Sequence, residues 1–246
     1  QFASSAASDV YKRQQQRIMK WNRKYNYPSS VRALFNGRRL YDVGSEKLPS
    51  VTTILSATQS EEKKAGLERW RQSIGHQQAE IITRESAVRG SGMHDYLEKF
   101  ILGKLNLDLL GDNTRERMMA DEIIEKGLRN KLNVILGCEA VLHYPGLYAG
   151  SADLIAEDYE GTSAIIDFKQ SNKPKREEYI HDYYLQCAAY AMAHNKVYGT
   201  NIAKAVILVC TKDNLFQRFI VDGEKFKNYQ SEFLLRVEQY HSQKNN

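Results

Sequence analysis

The sequence has too few cysteines for a disulfide framework or a metal cluster. Three cysteines are spread through its 246 residues, and no two of them form a Cys-x-x-Cys pair. Three thiols cannot supply the four ligands of an ordinary iron–sulfur cluster, so we expect no such cluster. Each cysteine lies in an apolar stretch, and we expect all of them to be reduced core residues: Cys138, Cys187 and Cys210.

Long hydrophobic runs and targeting signals are also missing. No apolar stretch approaches the roughly 18 residues that a membrane-spanning helix needs, so no integral membrane protein is predicted. The first residues have neither the apolar run of a signal peptide nor the arginine-rich pattern of a transit peptide. Because Ser4 to Gln14 also resembles a translated sequencing adaptor, we expect residues 1–14 to be a non-native or disordered leader.

What the chain does contain suits one large folded domain, with or without a small appendage. Hydrophobic residues make up 42% of the chain and charged residues 26%. The formal charge of +5 and the pI of about 8.9 are mildly basic. Such a balance fits a polyanionic partner, but lysines and arginines on solvated helix faces explain it equally well.

The N-terminal half has the pattern of a hairpin followed by helices. Asn36-Gly37 is a strong turn signal between strand candidates at residues 31–35 and 39–43. Residues 51–55 are β-branched and open either a strand or a capped helix. Leu67, Trp70 and Ile74 recur at helical spacing and predict a helix that ends at Gly75. Three more helices are predicted: one at residues 76–88, one after the Gly90–Gly92 step, and one from Asp112-Asn113-Thr114 to about residue 131.

The C-terminal half is richer in strands. Strands are predicted at residues 133–144, 148–156, 163–169, 203–211 and 216–221, with helices at 177–195 and 224–241. This order of elements predicts an α/β (α+β) domain in which a mixed central sheet is flanked by helices, with a helical N-terminal extension.

Two carboxylates and a lysine lie at the ends of neighbouring predicted strands. Asp153 follows Gly150-Ser151-Ala152 near the start of one strand, and Asp167-Phe168-Lys169 ends the next. Side chains alternate along a strand, so Asp167 and Lys169 point to the same side. If the two strands pair, Asp153 comes alongside Asp167, and all three charged groups meet at one edge of the sheet.

That trio suits metal-assisted hydrolysis of a phosphodiester. Mg²⁺ and Mn²⁺ prefer carboxylate and carbonyl oxygens, and a nearby lysine can orient the attacking water or stabilise developing charge. An Asp-x-Lys triplet at a strand end is also often only solvated, and the preceding Asp153 is what favours the catalytic interpretation.

A polar pair on the following helix supports this interpretation. Gln186 and Tyr190 are four residues apart and therefore share one helix face. A glutamine within the apolar run 183–193 needs a polar partner, although an ordinary helix-packing contact would also satisfy it.

Taken together, these motifs resemble the RecB-like branch of the PD-(D/E)XK nucleases. Within that branch the chain is most similar to the mitochondrial genome maintenance exonuclease family and its phage relatives. The likeness covers roughly residues 38–240 and includes the motifs at 48–55, Trp70, Arg89-Gly90-x-Gly92-x-His94 and Glu139. It implies a restriction-endonuclease-like fold, in which residues 15–131 form the hairpin and helical part and 132–246 the catalytic core.

The resemblance also implies a role for each matched residue. Asp153, Asp167, the backbone carbonyl of Phe168 and His94 would bind Mg²⁺ or Mn²⁺, although a lone histidine is more often an ordinary surface or core residue. Lys169 would position or activate the water. Gln186 and Tyr190 would support Lys169 and contact DNA, and Glu139 would either join the metal site or form a salt bridge. The other histidines match nothing in the family: His76, His143, His181, His194 and His241.

One departure from the family pattern touches the phosphate contacts. Gln170-Ser171 follows the lysine where the family often has Thr-Ser, but Ser171 still offers a hydroxyl. The predicted DNA-binding residues are Arg89, Ser171, Lys173 and Tyr183. Further candidates near these motifs are Arg38, Arg39, Lys175, Arg176, Tyr96 and Tyr184.

We therefore expect a metal-dependent DNA exonuclease acting on single-stranded or frayed ends, cytoplasmic in a bacterium or phage-infected host rather than mitochondrial. The chain has no Gly-x-x-x-x-Gly-Lys-Ser/Thr loop, so a helicase or a replication or recombination protein would have to supply any unwinding. The alternatives are an endonuclease of the same fold and a catalytically inactive DNA-binding scaffold.

Overall fold

The computed structural model describes residues 19–35, 38–104 and 114–243, with no description of the side chains of residues 31–39. The predicted leader, the Asn36-Gly37 turn, the side chains of Arg38 and Arg39, and two of the three predicted capping residues at 112–114 lie outside this description. No helix in the described ranges has the length and apolar character needed to cross a membrane.

The elements follow the predicted order of helices, three strands, a helix, two strands and a helix. The strands are β1 (Lys20–Trp21), β2 (Val31–Phe35), β3 (Arg38–Val43), β4 (Glu46–Pro49), β5 (Leu132–Tyr144), β6 (Tyr148–Asp158), β7 (Ser163–Ser171), β8 (Lys204–Thr211) and β9 (Phe216–Asp222). The helices are α1 (Val51–Ala57), α2 (Glu61–Ile74), α3 (His76–Ile101), α4 (Arg115–Ile123, continued by a π-helical turn at Ile124–Leu128), α5 (His181–Tyr198, preceded by a 3₁₀ turn at Glu177–Tyr179) and α6 (Gly223–Ser242).

A six-stranded mixed sheet forms the centre of the molecule, in the order β1-β5-β6-β7-β8-β9. Strands β5, β6 and β7 form an antiparallel meander, and β8 runs parallel to β7 after the crossover through α5. At the two edges, β1 is parallel to β5 and β9 is antiparallel to β8. The predicted mixed α/β sheet is confirmed, whereas β1 was not predicted.

Helices cover both faces of this sheet. The cluster on one face joins α1, α5 and α6 to strand residues such as Ile155 and Ile207, which are fully buried. The cluster on the other face joins α3 and α4 to residues such as Leu154 and Leu208. Helix α5 has nine buried residues and lies deep in the fold. Of the three free cysteines, Cys187 and Cys210 are buried as expected and Cys138 is half-buried.

A smaller sheet precedes α1 and lies beside β6 of the large sheet. Strands β2, β3 and β4 form an antiparallel sheet, which confirms the predicted hairpin strands and adds β4. Ser50 then begins α1, because its hydroxyl accepts the Thr53 amide at 3.0 Å. Ser50 also bridges to Ala149 of β6, so residues 51–55 are a capped helix docked on the large sheet.

The predicted break at Gly90–Gly92 is wrong, because α3 continues without interruption from residue 76 to residue 101. The two glycines instead permit close packing. A Cβ atom on Gly90 would lie 3.2 Å from Cγ of Gln170, and one on Gly92 would lie 2.6 Å from Cγ of Glu116. The glycine signal therefore marks close helix contacts with β7 and α4 rather than a turn.

Helix α2 forms as predicted, but its apolar residues do not join a core. None of its residues is buried, and Leu67 and Ile74 are 42% and 37% exposed. An ion pair between Lys63 and Asp182 connects α2 to the first turn of α5.

Candidate active site

The site lies where the pairing between β6 and β7 ends. The antiparallel register continues from Glu157 opposite Ser163 to Leu154 opposite Ile166, and the next position on each strand is Asp153 and Asp167. There the amide of Phe168 donates to Oδ2 of Asp153 at 2.8 Å. A carboxylate side chain thus replaces backbone pairing, and the predicted approach of the two strands is confirmed.

Three side chains from separate elements meet beside this point. The ligand atoms of His94 on α3, Glu139 on β5 and Asp153 on β6 all lie within 4.8 Å of one another. Nδ1 of His94 is 3.7 Å from Oδ1 of Asp153 and 4.0 Å from Oε1 of Glu139. The second carboxylate oxygen of Glu139 accepts a hydrogen bond from Ser151 at 3.3 Å.

The orientation of the His94 ring leaves one nitrogen facing the carboxylates. Its Nε2 lies 2.9 Å from the carbonyl oxygen of Phe168, and because a carbonyl only accepts, Nε2 must carry a proton. In the neutral ring Nδ1 is then a bare lone pair directed toward Asp153 and Glu139. This is the arrangement of a metal-binding histidine that is oriented by a hydrogen bond from its other nitrogen.

Asp167 and Lys169 form a buried ion pair next to this cluster. Asp167 is only 1% exposed, and Oδ2 is the oxygen that faces the Lys169 ammonium. The other carboxylate oxygen of Asp167, Oδ1, accepts no hydrogen bond within the part of the chain that the structure describes. The Lys169 ammonium also lies 5.1 Å from the ring centroid of Tyr183.

Burial and the neighbouring charges change the pKa values of these groups. Burial, then the charge of Asp167, raises the pKa of Asp153 to about 7. Burial lowers the pKa of Lys169, but Asp167 and Asp153 outweigh it and hold the pKa well above its usual range. Burial likewise lowers the pKa of His94, yet its contact with Glu139 and the charge of Asp153 produce a net increase.

The predicted pair on α5 closes the other side of the site. The amide of Gln186 donates to the Tyr190 hydroxyl at 3.2 Å, and both residues line the same cavity of about 520 Å³ as His94 and Asp153. Tyr190 packs so closely on β6 that a Cβ atom on Gly150 would lie 2.7 Å from its ring. Gly150 is therefore required to bring α5 against the strand that carries Asp153.

The residues fit a hard divalent cation. The Glu139 and Asp153 carboxylates and the bare His94 nitrogen are oxygen and imidazole ligands, which suit Mg²⁺ or Mn²⁺ better than a soft metal. A buried Asp167 oxygen without a hydrogen bond is a further unsatisfied acceptor beside them. Of the predicted ligands, the structure groups His94 and Asp153 with Glu139. Asp167 faces Lys169, and the Phe168 carbonyl accepts from His94.

Comparison with known proteins finds relatives that are similar to most of this chain. No family model matches the chain. Human mitochondrial genome maintenance exonuclease 1 is 30% identical over 207 residues, a match that covers 81% of this chain and 60% of the human protein. The mouse protein of the same name is 31% identical over 209 residues, with 81% and 60% covered. The chain is thus similar to these two exonucleases over most of its own length.

The chain spans about 60% of the length of the curated relatives it matches. Among solved structures, the alkaline exonuclease LHK-Exo from Laribacter hongkongensis aligns with a TM-score of 0.27 and 16% identity, covering 57% of this chain and 75% of that one.

The four predicted DNA-binding residues line a separate hollow beside the loop after β7, and the side chains of two of them, Arg89 and Ser171, are already engaged. Arg89 is 7% exposed and donates to Gln170 at 3.1 Å, to Ser86 at 3.3 Å and to Asn172. The Ser171 hydroxyl donates to the Lys173 carbonyl at 2.6 Å, so it shapes the loop after β7.

Sequence reasoning missed several residues that line the candidate active site. Asp95 and Glu98 on α3 add two carboxylates to the cavity, and Tyr41 reaches it from β3. Glu98 lies four residues after His94 on the helix that was predicted after the Gly90–Gly92 step, so its spacing was a signal in the sequence that was not used. No signal in the sequence indicated Tyr41, because its place depends on how the small sheet docks.

Proposed function

We propose that the chain is a metal-dependent DNA exonuclease that hydrolyses phosphodiester bonds at single-stranded or frayed ends with Mg²⁺ or Mn²⁺. The observation that carries the proposal is the convergence of His94, Glu139 and Asp153 beside the buried Asp167–Lys169 pair. The relationship to proteins named as exonucleases supports the same reaction, and a separate partner such as a helicase would supply unwinding.

In this mechanism His94, Glu139 and Asp153 hold the cation, with Asp167 as an additional acceptor. A divalent cation bound there would polarise the phosphate and lower the pKa of an attacking water. The remaining chemistry falls to Lys169, whose ammonium is paired with the Asp167 carboxylate. Lys169 would position or activate the water and stabilise negative charge that develops on the phosphate.

Two alternatives share much of this geometry. An endonuclease of the same fold would use the same residues on an uninterrupted strand. A catalytically inactive DNA-binding scaffold is disfavoured, because every charged group of the predicted site is present and Asp167 and Lys169 are buried beside one another. Burying two charged groups costs desolvation free energy, so their burial here favours a role beyond folding.

A first test measures degradation of end-labelled linear single-stranded DNA with Mg²⁺, with Mn²⁺ and with EDTA, beside a circular single strand. Removing a metal-site carboxylate should reduce the rate at least about 100-fold, because even outer-shell partners contribute 10- to 100-fold. We therefore expect Asp167→Asn to abolish measurable cleavage. The matched control is Asp222→Asn, an exposed aspartate at the end of β9, which should leave the rate unchanged.

The substrates separate the three candidate functions. Metal-dependent loss of the linear strand alone supports the exonuclease, and cleavage of the circle indicates the endonuclease. A folded wild-type protein that binds DNA but cleaves neither substrate with either metal would contradict catalysis and leave the scaffold.

A further inference from the structure

Strand β9 forms one edge of the central sheet, and no strand pairs with its outer side within residues 19–35, 38–104 and 114–243. It has seven residues, none of them proline or glycine, and its register with β8 contains no bulge. The strand at the opposite edge, β1, has only two residues. Proteins often prevent an edge from pairing with another chain by a short strand, a proline or a bulge, and β9 has none of these three devices.

One hydrogen bond shows which backbone groups of β9 face outward. The amide of Thr211 donates to the carbonyl of Leu215 at 3.0 Å, and these residues lie opposite each other when the register of β8 and β9 is continued by one position. In an antiparallel pair, hydrogen-bonded positions alternate with positions whose backbone groups point away from the partner strand. Residues 217, 219 and 221 therefore bond to β8, and the N–H and C=O groups of Arg218 and Ile220 point outward.

The side chains at these outward-facing positions share one face of β9. Phe216 joins the hydrophobic cluster on the face that α3 and α4 cover, so Arg218, Ile220 and Asp222 point to that face as well. All three are exposed, and Ile220 is 43% exposed. Among the described residues, neither Arg218 nor Asp222 has an ion-pair partner. A cation, an apolar residue and an anion thus follow one another along an unpaired edge.

This row of side chains is complementary to a second copy of itself. Two antiparallel copies of β9 pair through their outward-facing positions, so the possible registers differ by steps of two residues. When Ile220 lies opposite Ile220 of the second copy, Arg218 lies opposite Asp222 at two symmetric positions. A shift of two residues in either direction places Ile220 opposite a charged residue, and a shift of four places like charges opposite each other. Opposite charges across a strand pair stabilise it and like charges destabilise it, so one register is favoured.

We propose that two copies of this chain associate by antiparallel pairing of their β9 strands, centred on Ile220, which joins their central sheets into one continuous sheet. The inference goes beyond the proposed function and does not depend on it. The candidate active site lies on β6 and β7, and β8 separates these strands from the joined edge. One pair of strands is a small interface beside the about 1,200–2,000 Å² of stable complexes, so we expect a dissociation constant in the micromolar range.

Sedimentation equilibrium of the full chain, over a range of micromolar concentrations, measures this association. We expect wild type to show a monomer–dimer equilibrium. Arg218→Glu and Asp222→Lys should each weaken self-association at least about 10-fold, because each change places like charges opposite one another at two symmetric positions. An equimolar mixture of these two variants should recover the dimer, because each substituted side chain then faces a side chain of opposite charge on the other copy.

Ile220→Lys should weaken association by a similar factor, because it places two ammonium groups opposite each other at the centre of the pairing. The matched control is Val197→Lys on α5, since Val197 has a similar exposure of 38% and should leave the dimer intact. Melting temperatures check that each variant is folded.

A wild type that stays monomeric throughout would overturn the proposal and would leave this edge to a strand of a different protein. A dimer that survives Ile220→Lys would also overturn it, because the copies would then join elsewhere. So would equal losses in Ile220→Lys and Val197→Lys at unchanged melting temperature, or a mixture of the two charge variants that does not associate. Cleavage of DNA is not measured in any of these arms, so their outcome is independent of the proposed activity.

Discussion

Glu139 occupies a backbone conformation that few non-glycine residues adopt. Its φ is 48° in the middle of β5, between two positions that pair regularly with β6. For a residue with a Cβ atom this region costs on the order of 1–3 kcal/mol, and such strain is found mainly at functional sites. Here the distortion directs the Glu139 carboxylate toward His94 and Asp153.

We therefore expect Glu139→Gly to be more stable than Glu139→Ala by about 1 kcal/mol, because glycine adopts a positive φ without cost. Both variants should lose cleavage, since both lack the carboxylate. Urea unfolding midpoints measure the difference. Glu157 provides the control on β6, where φ is not positive and glycine should be the less stable replacement. If alanine is the more stable replacement at both positions, β5 is not strained at residue 139.

At this scale the sequence predicted chemistry better than geometry. Strand alternation correctly placed Asp167 and Lys169 on one side of β7, and the short turn between β6 and β7 brings Asp153 beside Asp167, where the pairing of the two strands ends. The position of Glu139 could not be predicted, because a positive φ on a non-glycine residue depends on tertiary contacts. The engaged guanidinium of Arg89 was equally hidden, since two of its three partners, Gln170 and Asn172, are more than 80 residues away.

Between elements, the packing of α5 on β6 depends on the absence of one side chain. A Cβ atom on Gly150 would lie 2.7 Å from Cε1 and 3.1 Å from Oη of Tyr190. Tyr190 is 3% exposed and has little room to move. The strand that carries Asp153 and the helix that carries Gln186 are therefore held at a distance that only glycine permits.

Gly150→Ala should destabilise the fold by about 1–3 kcal/mol, the usual cost of overpacking a core. In a Tyr190→Leu background that cost should shrink by more than half, because the obstructing ring atoms are gone. Thermal or urea unfolding of the four proteins gives the coupling. Gly66→Ala is the control, since nothing but Arg69 at 3.8 Å is close and alanine suits the interior of α2. Additive effects of the two changes would argue against the contact.

Element order followed from the sequence because periodicity is local, and most predicted bounds fall within a few residues of the observed ones. The main error, at Gly90–Gly92, arose because glycine has two uses that look alike in a sequence. It ends helices, and it also allows a helix to approach a neighbour, as α3 approaches Gln170 of β7 and Glu116 of α4. Strand β1 was missed because a strand of two residues is too short to show an alternation of polar and apolar side chains.

For the whole molecule, a buried histidine connects the N-terminal segment to α5. His194 is fully buried, with Nδ1 at 2.7 Å from the Thr200 hydroxyl and Nε2 at 3.1 Å from the Tyr27 hydroxyl. The Thr200 hydroxyl donates to Asn195, so it must accept from Nδ1 of His194, and in the neutral ring Nε2 then accepts from the Tyr27 hydroxyl. Burial lowers the pKa of His194 to about 4.

Because the pKa of His194 is lowered on folding, the free energy of unfolding depends on pH in the acidic range. An unfolded histidine has a pKa of about 6.5, so between pH 6.5 and 4 the unfolded state binds a proton that the folded state does not. The contribution of the neutral ring is complete above pH 6.5 and is lost as the pH falls. We expect wild type to lose up to about 3 kcal/mol more than His194→Gln over that range, measured by urea unfolding. Parallel pH profiles would contradict the assignment.

The contrast between α2 and α5 has a consequence for how this molecule can evolve. Helix α5 carries Gln186 and Tyr190 among nine buried residues, so most substitutions there change folding and the site together. Helix α2 has no buried residue, yet Trp70 and Ile74 line a hollow of about 1010 Å³ that α2 forms with α3 and the loop after β7. New substrate preferences can therefore arise in α2 at little cost in stability. A mutational scan selected for altered substrate length should collect its tolerated changes there, while α5 stays nearly invariant.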